Sequence, residues 1–268
     1  MMTATRSNTR VRVPNTTPTT DHDPGGSHDG LAPKPQGRNK PEGGTYKGRR
    51  LVNCRTVTTI STLNVRTIRE ARSSEELAAN LSLYGIDVLG IQEHRIVHEE
   101  EVRYEDINGS MLITTTASRN QAGAAVGGVG ILLSSKARGS LAKVTSNTAR
   151  ILTASFQGNP ATTIIVTYCP TNTAEEDIVT SHYEDLARTI ESIPAHHLLL
   201  VVGDFNARIG SEDAKFPFHE ETNRNGRQLL DLASEKDQVI SSTYFARRQE
   251  SSGPSSAQEA PSTSWTMC

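Results

Sequence analysis

The chain has 268 residues, enough for one large domain or two small ones, and 28 Lys and Arg against 30 Asp and Glu leave a formal net charge of −2. So balanced a chain lacks the global positive field that by itself draws a protein to nucleic acid. Its three cysteines show no metal-ligand spacing and cannot all pair, which argues for a reducing compartment and against a disulfide framework. No apolar run is long enough for a membrane span and no apolar secretory core opens the chain, so it reads as an intracellular protein, nuclear or cytoplasmic.

The charge is unevenly placed. Residues 1–50 carry nine basic and four acidic side chains, 9 − 4 = +5, which leaves −2 − 5 = −7 for the rest. This arm is rich in Thr, Asn, Pro, Gly and Arg and holds almost no large apolar residues. It cannot bury enough surface to offset chain entropy and is expected to be disordered, a basic arm able to touch phosphates. A folded domain is expected over 51–248. Val57 to Val65 is β-branched and reads as a strand ending at Asn64. Ser73 and Glu76 form a capping-box pattern, followed by Leu77, Leu81 and Tyr84 on one helix face and a stop at Gly85. Ile86 to Ile91 is a second strand that delivers Glu93.

Met111 to Thr115 and Val129 to Ser134 read as further strands. Gly127, Gly128 and Gly130 match neither the P-loop nor the dinucleotide pattern and are read as strand-entry glycines. Ile151 to Phe156 and Thr162 to Tyr168 form a hairpin about Gly158-Asn159-Pro160. Thr173 and Glu176 repeat the capping pattern, and Ile178, Leu186, Ile190 and Ile193 give a helix stripe that stops before Pro194. A strand from His197 to Val202 then runs into Gly203-Asp204-Phe205-Asn206. A helix from about Gly226 to Glu235 and a strand from Val239 to Phe245 follow. Residues 249–268 form a low-complexity tail in which Trp265-Thr266 stands alone.

Four predicted strands thus end in polar residues: Asn64, Glu93, Tyr168 with Asn172, and Asp204 with Asn206. Each alone also suits a turn, because Asn and Asp are common turn residues. Together they point to one site where strand ends converge. Carboxylates and amides are hard oxygen ligands, suited to Mg²⁺ or Mn²⁺ rather than zinc. No Ser-His or Cys-His pair accompanies them, which favours metal-assisted attack by water on a phosphate ester over covalent catalysis. His94, His196 and His197 read as surface or packing residues.

The ordered set Leu63-Asn64-Val65-Arg66, Ile91-Gln92-Glu93-His94-Arg95, Gly128-Val129-Gly130-Ile131, Tyr168-Cys169-Pro170-Thr171-Asn172, Gly203-Asp204-Phe205-Asn206-Ala207 and Asn223-Arg224-Asn225-Gly226 covers roughly 57–248. It resembles the endonuclease/exonuclease/phosphatase superfamily, above all the endonuclease domains of non-LTR retrotransposons and the craniofacial-development-protein-2-like proteins. The resemblance implies an α/β fold, a DNase I-like two-layer β-sandwich flanked by helices, and Mg²⁺-dependent nicking of DNA that leaves a free 3′-hydroxyl. It implies that Glu93 and Asn64 hold the metal and that Asp204 activates water. Asn206 would hold that water or a phosphate oxygen, Tyr168 and Asn172 would bind the scissile phosphate, and Asn225 would line the same groove. The superfamily's closing Asp-His motif has no counterpart here. The chain is therefore expected to lack the last strands of the sandwich, to expose an unpaired edge and to be impaired in catalysis. A non-catalytic nucleic-acid or protein-binding remnant and a small-molecule phosphatase are the rival readings.

Overall fold

The computed structural model describes residues 7–11, 50–53, 56–217, 219–244 and 265–267, the first and last of these segments as backbone only. The first sheet contains β1 (Ser7–Val11), β2 (Thr58–Asn64), β3 (Val88–Gln92), β4 (Val102–Ile107), β5 (Ser110–Thr115) and β8 (Val129–Leu133). Its strand order is β1-β2-β3-β8-β5-β4. A short ribbon, β6 (Ser118–Arg119) with β7 (Ala125–Val126), rises between β5 and β8. The second sheet contains β9 (Leu141–Thr148), β10 (Ile151–Phe156), β11 (Thr162–Tyr168), β12 (Leu198–Asp204) and β13 (Trp265–Met267), in the order β13-β12-β11-β10-β9.

Alternation along the strands decides what each sheet face meets. Ile164, Val166, Leu200 and Val202 of β11 and β12 face inward onto Val88, Val129, Ile131 and Leu133 of the first sheet. Ile165 and Val201, one residue out of phase, face outward and are covered by α3 (Glu176–Glu191) and α4 (Arg224–Glu235). On the far side of the sandwich, Leu89, Ile91 and Leu132 pack beneath α1 (Ala71–Leu83). Strands covered on both faces have to be apolar throughout, which is why β3, β8, β11 and β12 read as unbroken hydrophobic runs. Gly90 lets the sheets approach: a Cβ there would lie 2.9 Å from Val202 Cγ2.

The parallel pairs β2–β3 and β11–β12 are each joined by a crossover helix, α1 and α3 respectively. Parallel strands end at the same edge of the sheet, so both pairs deliver their C-terminal residues to one end of the sandwich. The predicted strands at 57–65, 86–91, 111–115, 129–134, 151–156, 162–168 and 197–202 all appear, with shifts of a residue or two at their ends.

Several expectations are corrected. Neither capping box is used: α1 starts at Ala71 and α3 at Glu176, both without a side-chain cap. The buried stripe of α3 runs through Val179, His182, Tyr183, Leu186 and Ile190, while Ile178 points outward. The segment expected as a strand over 239–245 is, in its described part, a 3₁₀ turn at Ser241–Tyr244. There Ile240 and Thr243, three apart, are the buried residues, and Thr243 Oγ1 bonds back to the Ile240 carbonyl at 2.8 Å. β4 escaped the sequence reading because its exposed Arg103, Tyr104 and Asp106 suit an edge strand rather than a buried one.

The edge expected to be unpaired carries further strands over part of its length. β1, in the arm expected to be disordered, pairs antiparallel with β2 from Ser7↔Thr62 to Val11↔Thr58. β13, in the expected tail, pairs with Val201 to Gly203 of β12. An edge strand needs main-chain hydrogen bonds rather than a buried side-chain face, and a polar Thr- and Arg-bearing segment supplies them. The rest of the arm and tail lies outside the described residues. Among the described residues, no helix is long and apolar enough to cross a membrane.

Candidate active site

Asn64, Glu93, Tyr168 and Asp204 meet where β2, β3, β11 and β12 end. The Asn64 side-chain amide reaches both carboxylates, donating from Nδ2 to Glu93 Oε1 at 2.8 Å and to Asp204 Oδ2 at 3.0 Å. The Tyr168 hydroxyl donates to the same Glu93 oxygen at 2.9 Å, and Arg95 Nη2 donates to Oε2 at 2.9 Å. Tyr168 and Asp204 are register partners on adjacent parallel strands, so their side chains leave the same face.

The strand ends turn sharply. Arg66, Glu93, Arg95 and Asn206 all have left-handed backbone, with φ of 58°, 57°, 58° and 48°. Asn tolerates this conformation; for Glu and Arg it costs of order 1–3 kcal/mol each and persists only where neighbours enforce it. The turn at Glu93 lifts its carboxylate out of the strand and towards Asn64 and Tyr168.

The two carboxylates are pulled in opposite directions. Burial pushes the Glu93 carboxyl up, but hydrogen bonds from Asn64, Arg95 and Tyr168 and the charge of Arg95 outweigh it, and the net shift is downward. Asp204 is 2% exposed. Its burial dominates the bonds from Asn64 and the Asn206 amide, and the charge of Glu93 adds to it, so its carboxyl is raised. Burial first, and then the charge of Glu93, hold the Tyr168 phenol well above its ordinary range, so it is a neutral donor.

The remaining expected residues divide. Asn206 is at the cluster: its amide N–H donates to Asp204 Oδ1 at 3.0 Å and its Nδ2 to the Cys169 carbonyl at 2.8 Å, tying the ends of β12 and β11 together. Asn172 lies on the surface, and its carbonyl accepts from Arg224 Nη2 at 3.0 Å. No side-chain bond joins it to the cluster. Asn225 corrects the groove expectation. It is fully buried, and its Nδ2 donates to the carbonyls of Pro170 at 2.9 Å and Phe205 at 3.4 Å. It latches the two loops that follow β11 and β12 and does not line a surface.

Three residues escaped the sequence reading of the site. Arg150, in the turn between β9 and β10, sits 5.1 Å from the Tyr168 ring centroid and donates to the Tyr168 carbonyl at 3.2 Å. Nothing in its local sequence signals this. Asn223 caps α4 by accepting from Gly226 N at 2.7 Å and also donates to the Asn206 carbonyl at 3.2 Å. The third is Arg95, which the sequence shows only as a neighbour of Glu93 within one motif. Its ion pair with Glu93 joins the bonds from Asn64 and Tyr168 in lowering the Glu93 carboxyl.

No three His, Cys, Asp or Glu side chains gather into one metal group among the described residues. Mg²⁺ does not require such a group: it keeps several waters and binds through one or two carboxylates together with substrate phosphates. An ionised Glu93 beside Asp204 fits that demand. Asn64 fits it differently from expectation, because its Nδ2 faces the carboxylates while its Oδ1 accepts the Arg66 N–H at 3.1 Å. It bridges the acidic pair and does not point an oxygen at a shared cation.

A family model described as the endonuclease/exonuclease/phosphatase family matches residues 61–262. Craniofacial development protein 2 of Tragulus javanicus is 27% identical over 224 residues, 78% of this chain and 38% of the relative. The Bos taurus protein of the same name is also 27% identical, over 78% of this chain and 36% of the relative. The chain therefore spans little more than a third of the curated relatives it matches. Among solved structures, the AP endonuclease LMAP from Leishmania major superposes with a TM-score of 0.52 at 14% identity, covering 70% of each chain. The endonuclease domain of TRAS1, a telomere-specific non-LTR retrotransposon, gives 0.49 at 16% identity, covering 78% of this chain and 83% of that one.

Proposed function

This chain belongs to the endonuclease/exonuclease/phosphatase family, hydrolases of the nuclease and phosphatase type with the DNase I-like fold, and from that premise we propose that it is a Mg²⁺-dependent phosphodiesterase that nicks DNA. The observation that carries the reading is the Asn64 amide shared by two carboxylates of opposite ionisation tendency. A pair of acidic groups whose surroundings push them apart marks a division of labour between charge and proton transfer.

Asp204 is the general base. Its raised affinity for a proton, at the end of a buried strand, suits it to take one from a water within about 3 Å. The water oxygen attacks phosphorus, the bond from phosphorus to O3′ breaks, the leaving O3′ takes a proton from solvent water to give the 3′-hydroxyl, and Asp204 releases its proton to solvent. Asn64 and the Asn206 amide fix the Asp204 carboxylate in place for that transfer. Glu93 anchors the cation, which supplies charge neutralisation and polarises the phosphate when bound. Tyr168, a neutral donor, turns its single O–H from Glu93 to a phosphate oxygen when the substrate is bound, and Arg150 adds positive charge behind its ring. Asn172 stays in the proposal as a surface phosphate contact; Asn225 is assigned a supporting role.

The test is a supercoiled-plasmid nicking assay with Mg²⁺, comparing wild type with Asp204→Ala. Nicking by the wild type that vanishes in the variant is the expected result. Equal nicking by both refutes the site. Absence of nicking by both, with DNA affinity retained, favours a non-catalytic binder.

A further inference from the structure

His94 takes no part in the chemistry above, yet it is fully buried beside Glu93. It stands between two left-handed residues, Glu93 and Arg95. Its Nδ1 accepts the Ile96 N–H at 3.0 Å, which leaves the ring proton on Nε2. Nε2 then donates to the Val129 carbonyl at 3.2 Å. Both ring nitrogens are thus spent on main-chain groups from two segments: the turn after β3 and the start of β8.

The neighbouring backbone is shaped around this ring. A Cβ at Gly128 would lie 2.5 Å from His94 Cε1 and 2.6 Å from Nε2, so the imidazole fills the space that a side chain at 128 would need. Gly128 also has φ of 84°, a conformation that glycine adopts readily. A second tie lies close by, where the Arg95 N–H donates to the Gly127 carbonyl at 3.1 Å. The turn carrying Glu93 is therefore pinned to 127–129 by a ring and an amide. Left-handed Glu is unfavourable without such restraint, and loss of the restraint would let the carboxylate swing away from Asn64 and Tyr168.

We infer that His94 is a positioning residue that clamps the turn at Glu93 against the entry to β8 and so sets the cation affinity of the site. The inference rests on the reading of Glu93 as the cation anchor. A partner that orients a ligating carboxylate commonly changes metal affinity by about 10–100-fold.

The test uses the full chain and Mg²⁺ alone. Mg²⁺ affinity is measured by titration calorimetry, and the Mg²⁺ midpoint of plasmid nicking is measured alongside, for wild type, His94→Phe and His94→Asn. The Phe variant keeps the bulk and loses both bonds; the Asn variant keeps an acceptor for the Ile96 N–H. His94→Phe is expected to weaken Mg²⁺ binding and raise the nicking midpoint by at least about 10-fold, with His94→Asn between it and wild type. A histidine that only supports the fold would lower the melting temperature and the active fraction without moving the midpoint. A folded His94→Phe with wild-type affinity and midpoint overturns the inference; if that variant does not fold, unchanged values in His94→Asn overturn it. Wild-type protein that binds no Mg²⁺ overturns the cation reading of Glu93 and this inference with it.

Discussion

The unit β2–α1–β3 and the unit β11–α3–β12 share one plan, two parallel strands joined by a crossover helix, and they shift the proton affinity of their acidic residues in opposite directions. The first presents Glu93 through a left-handed turn after its strand has ended, where Asn64, Arg95 and Tyr168 all donate to it. The second presents Asp204 as the last residue of a regular strand, nearly inaccessible and with fewer donors. One carboxyl is held down and the other pushed up. Strand topology alone does not assign an acid to a role. Donor number and burial do, and one residue's difference in where the strand stops decides both.

The largest expected effects come from removing that asymmetry. Asp204→Asn should lower the nicking rate by ~10²–10⁴, the range for a general base, with no recovery at high Mg²⁺. Glu93→Gln should also lose activity, but raising the Mg²⁺ concentration should restore part of it. A Mg²⁺ titration of both variants checks this, and identical responses would erase the distinction between the two acids.

Each unit also buries a neutral histidine: His94 after β3, and His182 on α3, whose Nε2 lies 3.1 Å from Thr167 Oγ1. Burial above all lowers both to about 4. The unfolded chain takes up these protons near its ordinary value of about 6.5, before the folded one does. Stability is therefore fully retained above about 6.5 and lost as pH falls from there towards about 4, by about 3 kcal/mol for each histidine. Urea unfolding at pH 7 and pH 4.5 measures the loss. His182→Gln should flatten part of it, while a curve indifferent to pH would contradict the buried neutral state.

Asn64→Ala sharpens the comparison from the middle. Both carboxylates lose a donor that favours their charged form, so both should become harder to ionise. The acid limb of the nicking profile should move to higher pH, with about a 10-fold lower rate near neutrality, since a hydrogen bond to a charged group is worth about 1.5–3 kcal/mol. A limb that stays in place would show that Asn64 does not couple the pair.

The smallest effect concerns the helices. Asn223→Ala removes the cap of α4 and should cost about 1 kcal/mol in chemical denaturation. Glu70→Ala at the start of α1, where no side-chain cap exists, should cost nothing measurable.

The sequence by itself determined the apolar runs that become doubly covered strands and the order of the elements along the chain. It also marked Asn64, Glu93, Tyr168 and Asp204 as polar residues at strand ends. These are one-dimensional facts, since period-two burial and interruption by a polar residue depend on neighbours along the chain. Only the tertiary structure decided that Asn64 reaches Asp204, 140 residues away, that Asn225 turns inward, that Ile178 turns outward, that Arg150 covers Tyr168 and that Ser7–Val11 pairs with β2. The left-handed turn at Glu93 belongs with these. No local preference of Glu, His or Arg calls for it, and it exists because the entry to β8 passes close enough to hold it.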